Sequence, residues 1–452
     1  MTMEERFMKY AFVFYAPSQL NSFVKSGVVS QLLDQCNFEI YCTKSEIQGE
    51  LAKSLDRKVN LVEIPWLVRK VSGFHQMLTL WRYKDRSMNH LVRAMASFGS
   101  ERQRLKWKCV VVSEMKVSFF KRNIIKLMSH NPSYKIIDLL QKILWQVLVL
   151  PICKRELMGI DSFIIPYSGH IGADFGTLVW SNKRLGRKVI AVQENWDNLS
   201  TKTFITEQPH LFLVWGNQSA AHLRSVHRMM DIETRVIGSP RFGPYFSNLN
   251  LSKPSVSKPS GERLVLQKDN YVLIAGTGDG IDDASLVETV HSSIQSLAKK
   301  IRLIHIVYRP HPMTRTKVEY ESLISNVPNL LVDDGPNSKD FGHHHSLVAN
   351  AILTINHFST LAIESVIAGI PVVIPLFLGR DEANYRYDHI LNEWHHMMGL
   401  ALIDLIKTPI DEREFGNYLV SILSRREIPM KQNIDWICHE GNYVELFVEA
   451  IK

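Results

Sequence analysis

The sequence predicts an α/β protein made of two doubly wound, Rossmann-like domains, each with a parallel sheet. Short apolar runs alternate with helical patterns through both halves of the 452-residue chain, which is typical of βαβ units. A segment rich in Ser, Pro and Lys interrupts this alternation at residues 244–266. Polar residues and glycines follow many of the apolar runs, at the edge where such sheets bind ligands.

The first half contains short apolar or aromatic runs that we interpret as strands, several of them ending in polar residues. They cover residues 10–16, 38–43, 109–114, 162–168, 187–198, 210–219 and 234–242. Helical or polar segments separate them, so a parallel sheet is expected.

The alternation restarts more regularly after the Ser/Pro/Lys segment. The predicted strands there cover residues 271–280, 303–312, 329–335, 351–356, 371–377 and 400–405. The expected division is an N-terminal acceptor-binding domain (1–243), a linker (244–266), a C-terminal nucleotide-sugar-binding domain (267–430) and a terminal helix (431–452). We expect that helix to pack back on the N-terminal domain.

Composition indicates a soluble globular protein, because 45% of the residues are hydrophobic and 22% are charged. No stretch reaches the roughly 18 to 20 uninterrupted apolar residues that a membrane span needs, and the N-terminus does not resemble a signal peptide. Five cysteines, an odd number, favour reduced thiols and a cytoplasmic location over a disulfide framework or a structural zinc site.

Basic residues are concentrated in residues 102–155, where they interleave with aromatic and aliphatic ones. Three interpretations compete: a solvated helix face, a helix at a membrane interface, and a nucleic-acid surface. No nucleic-acid-binding motif supports the last, so no nucleic-acid partner is expected. Residues 118–155 therefore predict a contact with an anionic membrane surface, with a solvated face as the alternative.

Two groups in the second half have the residue types of a nucleotide site. Arg309 and His311 lie in the rigid sequence Arg-Pro-His-Pro after a strand, and both can donate hydrogen bonds to phosphate. Ser359 and Thr360 come between a strand and a helix, where they can cap the helix or bind an anion.

Two further features extend this site. Glu364 lies one turn into the helix and is expected to accept hydrogen bonds from a ribose. Gly276, Thr277 and Gly278 form a glycine turn that lets backbone amides approach phosphate, although an ordinary tight turn fits equally well. The adjacent histidines 343–345 cannot all reach one ion, so no metal is expected.

The sequences RPHP (309–312) and INHFSTLAIESVIAGIPVV (355–373) resemble the donor half of GT-B glycosyltransferases. The similarity is to the capsule and lipopolysaccharide group, which includes CDP-glycerol polymerases, Kdo transferases and bacterial sialyltransferases. It implies that His311, Ser359 and Thr360 bind the phosphate of a cytidine nucleotide and that Glu364 binds its ribose. It covers about 110 residues well and the remainder only in strand order.

This chain differs from those families at the expected catalytic base. Bacterial sialyltransferases carry an Asp-Asp-Gly motif before the His-Pro motif, whereas Asp333 and Asp334 follow it here. We therefore interpret these two as a loop feature and expect the base in the first domain. The candidates come after strands: Glu194 first, then Asp174 and Asp197, with His170 less favoured. A hydrogen-bonded turn around Trp196 is the structural alternative.

The resulting expectation is a cytoplasmic, peripherally membrane-bound GT-B glycosyltransferase whose two domains face each other across a cleft. It would transfer a sugar, CMP-linked rather than UDP-linked, to a glycan or lipid-linked glycan acceptor, without a metal or other cofactor. A CMP-linked Kdo or sialic-type acid is the expected donor, in lipopolysaccharide or capsule synthesis. The alternatives are a nucleotide-sugar epimerase and a non-catalytic nucleotide- or glycan-binding protein.

Overall fold

The chain divides into two compact units. Unit 1 comprises Met1–Ala96, Lys116–Gly243 and Asp435–Lys452, and unit 2 comprises Ser97–Met115 and Pro244–Ile434. The computed structural model describes residues 8–85, 119–170, 174–246, 253–257, 262–276, 283–297, 304–311, 327, 330–333, 341–356, 359–377, 391, 394–424 and 432–452.

Unit 1 is built on a parallel sheet. Its described strands are β1 (Tyr10–Phe14), β2 (Phe38–Cys42), β3 (Asn60–Leu61), β4 (Ser162–Tyr167), β5 (Lys188–Gln193), β6 (Leu211–Val214) and β7 (Glu233–Val236). They lie in the order β3-β2-β1-β4-β5-β6-β7. The chain therefore builds outward from β1 in one direction, then returns to β1 and builds in the other. The predicted strand at residues 109–114 lies outside the described residues.

Helices cover both faces of this sheet. Those described are α1 (Pro17–Gln19), α2 (Val28–Gln35), α3 (Ser45–Leu55), α4 (Trp66–Arg82), α5 (Phe119–Met128), α6 (Asn131–Leu144), α7 (Leu150–Glu156), α8 (Phe175–Arg184), α9 (Asn198–Thr201) and α10 (Asn217–Ser225). Alternate residues of β1 enter different cores: Phe12 and Phe14 pack on one face, and Val13 on the other. Burial on both faces explains why this strand is a continuous apolar run rather than an alternating one.

The C-terminal segment returns to unit 1. Its helix α16 (Tyr443–Ile451) places the Phe447 ring 6.3 Å from the Phe12 ring. The chain before it runs against the end of β6, where a Cβ on Gly216 would lie only 2.4 Å from the carbonyl oxygen of Ile437. Only glycine allows the two backbones to approach this closely.

A helical run from Asn131 to Glu156 corrects one expectation from the sequence. It joins α6, a π-helical turn (Trp145–Val149) and α7. Its 26 residues include an 18-residue window of mean hydropathy 1.7, so it is long and apolar enough to cross a membrane by length and composition. The criterion of uninterrupted apolar residues excluded it because Asp138, Gln141 and Lys142 break the run.

Unit 2 has a second, mostly parallel sheet. Its described strands are β8 (Ser255–Ser257), β9 (Arg263–Val265), β10 (Tyr271–Ala275), β11 (His305–Arg309), β12 (Leu330–Val332), β13 (Leu353–Ile355), β14 (Val372–Val373) and β15 (Ile406–Lys407). They lie in the order β15-β14-β13-β10-β11-β12-β8-β9. Only β8 and β9 pair antiparallel among these, β8 with both β12 and β9. Part of the segment expected to be a linker, 244–266, thus extends this sheet.

The described helices of unit 2 are α11 (Gly243–Phe246), α12 (Asp283–Leu297), α13 (Phe341–Ala349), α14 (Thr360–Ile367) and α15 (Glu412–Ser424). The predicted strand at residues 400–405 is wrong, since Leu400–Leu402 form a 3₁₀ turn and β15 begins at Ile406. Gly399 with φ 92° starts that turn, and Leu402 is 85% exposed, so the apolar run does not lie in the sheet.

Candidate functional site

The strand order of unit 2 changes direction between β10 and β13. From β10 the chain adds β11 and β12 on one side, and it then returns to add β13, β14 and β15 on the other. The strands β10 and β13 are parallel neighbours in which Ile274 pairs with Ile355. Open α/β sheets bind ligands at the carboxyl ends of such a pair of strands, because the following helices diverge and leave a crevice.

Gly276 and His311 meet at this edge. The Gly276 amide donates to the carbonyl oxygen of Arg309 over 2.8 Å, one residue past the end of β10. A Cβ on Gly276 would lie 3.1 Å from the backbone nitrogen of His311 and 2.8 Å from a carboxylate oxygen of Asp283. The two predicted phosphate-binding segments are thus brought into contact. Thr277 and Gly278 lie outside the described residues.

Ser359 occupies the N-cap of α14, just after β13. Its backbone is extended, with φ −132° and ψ 161°, and its side chain makes no capping hydrogen bond. Thr360 is the first helical residue, so both hydroxyl groups lie beside the N-terminal amides of α14. Helix N-termini favour anions because their first N–H groups lack partners within the helix. The predicted Ser-Thr pair therefore occupies an anion-compatible position at the edge that carries Gly276.

Asn356, which the sequence did not single out, ends β13 at the same edge. Its side chain is fully buried, and neither its amide nitrogen nor its amide oxygen has a hydrogen-bond partner among the described residues. Leaving both atoms unpaired is costly in a buried position. A polar ligand at the switch point would satisfy them.

Arg309 is held in a buried ionic network. Its guanidinium pairs with Asp333, which directly follows β12. The other oxygen of Asp333 lies 2.8 Å from Nε2 of His343 on α13. Burial alone would raise the pKa of Asp333, but the His343 hydrogen bond and the Arg309 charge outweigh it and hold that pKa below its usual value. Asp333 is therefore not a simple loop residue, as interpreted from the sequence, because it orients Arg309.

Glu364 is buried and bound within the protein. Its Oε2 lies 2.8 Å from Nε2 of His344 and accepts a 3.3 Å hydrogen bond from the Tyr245 hydroxyl. Its side chain is only 2% exposed. The sequence predicts a ribose contact for this carboxylate, and the structure adds two neighbours that fix its orientation.

The three adjacent histidines have three different environments. His343 contacts Asp333, His344 contacts Glu364, and the His345 ring packs edge-on against Tyr245 at 4.8 Å. No group of three or more potential metal ligands occurs among the residues that the structure describes. Successive side chains of α13 thus support different parts of the same sheet edge.

In unit 1, Glu194 follows β5 and is completely buried. Within the described ranges, neither carboxylate oxygen has a partner at hydrogen-bond geometry. Burial raises the pKa of Glu194 to about 7, and the charge of Asp197 adds to this, whereas Ser18, Arg241 and Lys202 oppose it. A carboxyl group that titrates near neutral pH has the proton affinity expected of a general base.

Asp174 is the N-cap residue of α8 and forms a buried ion pair. Its Oδ1 lies 3.0 Å from Nε of Arg69, and its Oδ2 accepts a 2.6 Å hydrogen bond from the Thr43 hydroxyl. The same guanidinium donates to the carbonyl oxygen of Thr43. Burial raises the pKa of Asp174, and Arg69 opposes that rise only in part. This geometry links the end of β2 to the N-terminus of α8 and indicates a structural role.

The third candidate, Asp197, lies in the turn that leads into α9. Its carboxylate is 3.0 Å from Nζ of Lys202 and accepts from the Thr201 hydroxyl. His170, after β4, is exposed and borders a cavity of about 10 Å³, the size of one water. The structure therefore separates the candidates: Asp174 and Asp197 each have a counter-ion at 3.0 Å, whereas Glu194 forms no ion pair with any residue that the structure describes.

Residue types alone did not reveal the supporting side chains. These side chains form contacts between residues that are 10 to 119 positions apart in sequence. They are Asp333, His343, His344 and Tyr245. One signal was available for Asp333, because it follows a strand as directly as the predicted ligands do.

No protein-family model matches the chain, and neither does any curated protein. Solved structures do match the chain. The UDP-GlcNAc 2-epimerase from Neisseria meningitidis, bound to UDP-GlcNAc, aligns over 98% of this chain and 99% of its own, with 11% identity and a TM-score of 0.50. The UDP-GlcNAc 2-epimerase from Methanocaldococcus jannaschii aligns over 98% and 99%, with 11% identity and a TM-score of 0.49.

A glycosyltransferase of kitacinnamycin aligns over 99% of this chain and 100% of its own, with 10% identity and a TM-score of 0.48. Identities this low bear on the fold alone. The two doubly wound sheets and the full-length alignment with the Neisseria structure confirm the predicted architecture. The chain has a GT-B fold.

Proposed function

We propose that this protein is a glycosyltransferase that takes a sugar from a nucleotide-activated donor. Unit 2 would bind the nucleotide at the β10/β13 edge, and unit 1 would bind the acceptor. By the resemblance of its His-Pro and Ser-Thr motifs, the donor is a CMP-linked sugar of the Kdo or sialic type. The acceptor class is a surface glycan or lipid-linked glycan, as in capsule or lipopolysaccharide synthesis.

One observation carries the proposal. Gly276, His311 and Ser359 come from three segments of the chain, and the sheet places all three at the carboxyl edge of β10, β11 and β13. Backbone amides, an imidazole and a hydroxyl at a helix N-terminus are donors suited to a diphosphate or monophosphate.

Positive charge for the leaving nucleotide would come from Arg309, His311 and the α14 N-terminus. The ion pair with Asp333 keeps Arg309 in place, which reduces the reorganisation needed when charge develops on the leaving phosphate. On this basis we propose a reaction that does not require a metal, and activity should survive chelation by EDTA.

Glu364 would contact the ribose, with its carboxylate oriented by His344 and Tyr245. Glu194 would accept the proton of the acceptor hydroxyl, since its pKa of about 7 suits proton transfer at neutral pH. Because Glu194 is 0% exposed, this role requires the end of β5 to open toward the acceptor.

The test is a product analysis by mass spectrometry. The full chain is incubated with CMP-linked and UDP-linked sugars, each with and without an extract of glycan acceptors. We expect nucleotide release and a sugar-bearing product only when acceptor is present. Conversion of a sugar nucleotide without acceptor would instead indicate an epimerase. Nucleotide binding with no turnover under any condition would indicate a non-catalytic binding protein.

A further inference from the structure

The outer face of α6 is apolar and exposed. Ile136, Leu139, Leu140, Ile143 and Val147 are 57%, 59%, 47%, 48% and 61% exposed. Their spacing of three or four residues places them on one side of the helix that continues from α6.

The opposite side of the same helical run is packed into unit 1. Trp145, Val149 and Cys153 are at most 1% exposed and belong to the core under the first sheet. The Trp145 indole donates to the hydroxyl of Ser72 on α4 over 3.0 Å. The run is thus apolar on both sides, but only 22% of its most apolar window is buried. A contiguous exposed apolar face of this kind marks a surface for a protein or membrane partner.

An apolar groove continues this face onto α4. A cavity of about 370 Å³ is lined by Lys70, Val71 and Phe74 on α4 and by Ile137, Leu140, Ile143 and Leu144 on α6. One turn before Lys70, Trp66 and Leu67 are 69% and 48% exposed. The Lys70 ammonium lies 5.6 Å from the centre of the Trp66 ring. Exposed tryptophan beside lysine is typical of residues at a membrane–water interface.

The charges on these helices indicate which kind of partner covers the apolar face. From Asn123 to Glu156 the chain has five basic residues, Lys126, Lys135, Lys142, Lys154 and Arg155, against two acidic ones, Asp138 and Glu156. Asp138 pairs with Lys142 at 3.1 Å and Glu156 with Arg155 at 2.7 Å, so the excess positive charge comes from Lys126, Lys135 and Lys154. A large apolar face with basic residues along it matches anionic lipid, which offers hydrocarbon and negative charge together.

We propose that unit 1 docks on an anionic lipid bilayer through the α4–α6 apolar surface, defined as Trp66, Leu67, Ile136, Leu139, Leu140, Ile143 and Val147 with the groove between the helices. The helical run lies in the membrane interface and does not span it. To cross the bilayer it would have to leave unit 1 and uncover Trp145, Val149 and Cys153. This surface needs no nucleotide and is independent of the proposed transfer reaction.

The experiment is co-sedimentation of the full chain with vesicles. Vesicles of phosphatidylglycerol and phosphatidylcholine are compared with vesicles of phosphatidylcholine alone, at low and high salt. We expect binding to the anionic vesicles in low salt and release as salt rises, because the basic residues are screened. Removing one lysine near the lipid should weaken binding about fivefold.

A matched pair of variants isolates the apolar surface. Ile136→Gln with Leu139→Gln and Ile143→Gln should weaken anionic-vesicle binding at least tenfold. The control carries Met230→Gln, Leu402→Gln and Ile410→Gln, which are more exposed, at 68%, 85% and 68%, but lie on other segments. It should bind as the unmodified protein does. Lys126→Gln with Lys135→Gln tests the charge contribution if the apolar variant does not fold.

Two outcomes would overturn the proposal. One is that the protein fails to bind anionic vesicles at low salt, or that the apolar variant and the control bind equally. The other is that sedimentation shows a self-associated protein that the apolar variant converts to monomer, with no vesicle binding. That result would assign the surface to a second copy of this chain.

Discussion

At the scale of single residues, the proposed nucleotide site depends on close approaches that only particular side chains permit. Gly276 is the clearest case, because a Cβ there would lie within 3.1 Å of His311, Tyr308 and Asp283. The hydrogen bond of 2.9 Å from the Tyr308 hydroxyl to Asp283 restricts how far those groups can move. Substitution at this position should therefore displace the His311 segment.

We predict that Gly276→Ala weakens nucleotide binding at least tenfold. The added methyl group pushes the His311 backbone away from the edge of the sheet. Calorimetric titration with CMP measures the effect. Gly416→Ala is the control, since a Cβ at that helical position meets no atom within 4 Å, and alanine suits a helix interior. Equal affinities in the two variants would show that the Gly276–His311 contact does not form part of the site.

Glu194 gives the protein a pH-dependent stability with a defined sign. Its pKa of about 7 in the folded protein lies above the usual 4.5, so the folded state binds more protons between these two pH values. The contribution of Glu194 to the free energy of unfolding is fully present below about pH 4.5 and is lost as pH rises through about 7. Above that pH the protein holds a buried carboxylate at a cost of about 3 kcal/mol.

Glu194→Gln should therefore raise the free energy of unfolding at pH 8 and flatten its dependence on pH between 4.5 and 7. Urea denaturation at several pH values measures both effects. The exposed Glu46, changed to Gln, serves as control and should leave the profile unchanged. A Glu194→Gln profile with the slope of the unmodified protein would contradict the assigned pKa. If Glu194 is also the base, turnover falls by orders of magnitude while nucleotide affinity stays constant.

At the scale of helices and strands, the sequence was most informative where a strand is buried on both faces. Continuous apolar runs predicted the strands that begin at Tyr10, Ser162 and Tyr271, because parallel strands under two helix layers contact no water. The pattern failed at Leu400, where an apolar run forms a 3₁₀ turn that buries Leu400 but exposes Leu402. Hydrophobicity shows that a segment is apolar but does not show which neighbour covers it.

The positions of the candidate site residues could likewise be predicted only in part from the sequence. Residues directly after strands could be predicted, because a parallel sheet collects those positions along one edge. The Arg309–Asp333–His343 network could not, since it depends on which strands are neighbours and on the direction of α13. The membrane-length helix was missed because polar residues interrupt its apolar run: Gln141 is buried and contacts His75 at 3.1 Å, and Asp138 and Lys142 pair with each other.

The C-terminal helix α16 should stabilise unit 1 although it is the last element of the chain. Phe447 is fully buried against Phe12, so removing its ring leaves a cavity in the core. We predict that Phe447→Ala lowers the free energy of unfolding by about 3–5 kcal/mol. Thermal denaturation checks this, with the exposed Glu449→Ala on the same helix as control. A loss of under about 1 kcal/mol would show that α16 contributes little to the core.

At the scale of the whole molecule, two sheets with the same winding have different polar groups at their carboxyl edges. The second sheet carries the proposed phosphate donors at the β10/β13 switch point, whereas the first holds a buried carboxyl group after β5. This division corresponds to the two requirements of sugar transfer, which are a stabilised leaving group and a base for the acceptor. The proposed function therefore depends on whether this edge of the second sheet binds a nucleotide.

The most direct test is the melting temperature of the full chain with CMP, CDP, UDP or GDP. A ligand that binds only the folded state raises this temperature by mass action. We predict that the cytidine nucleotides raise it most, and that His311→Ala and Ser359→Ala remove the rise while the proteins still unfold cooperatively. No shift with any nucleotide, or an undiminished shift in both variants, would contradict a nucleotide site at the edge of the second sheet.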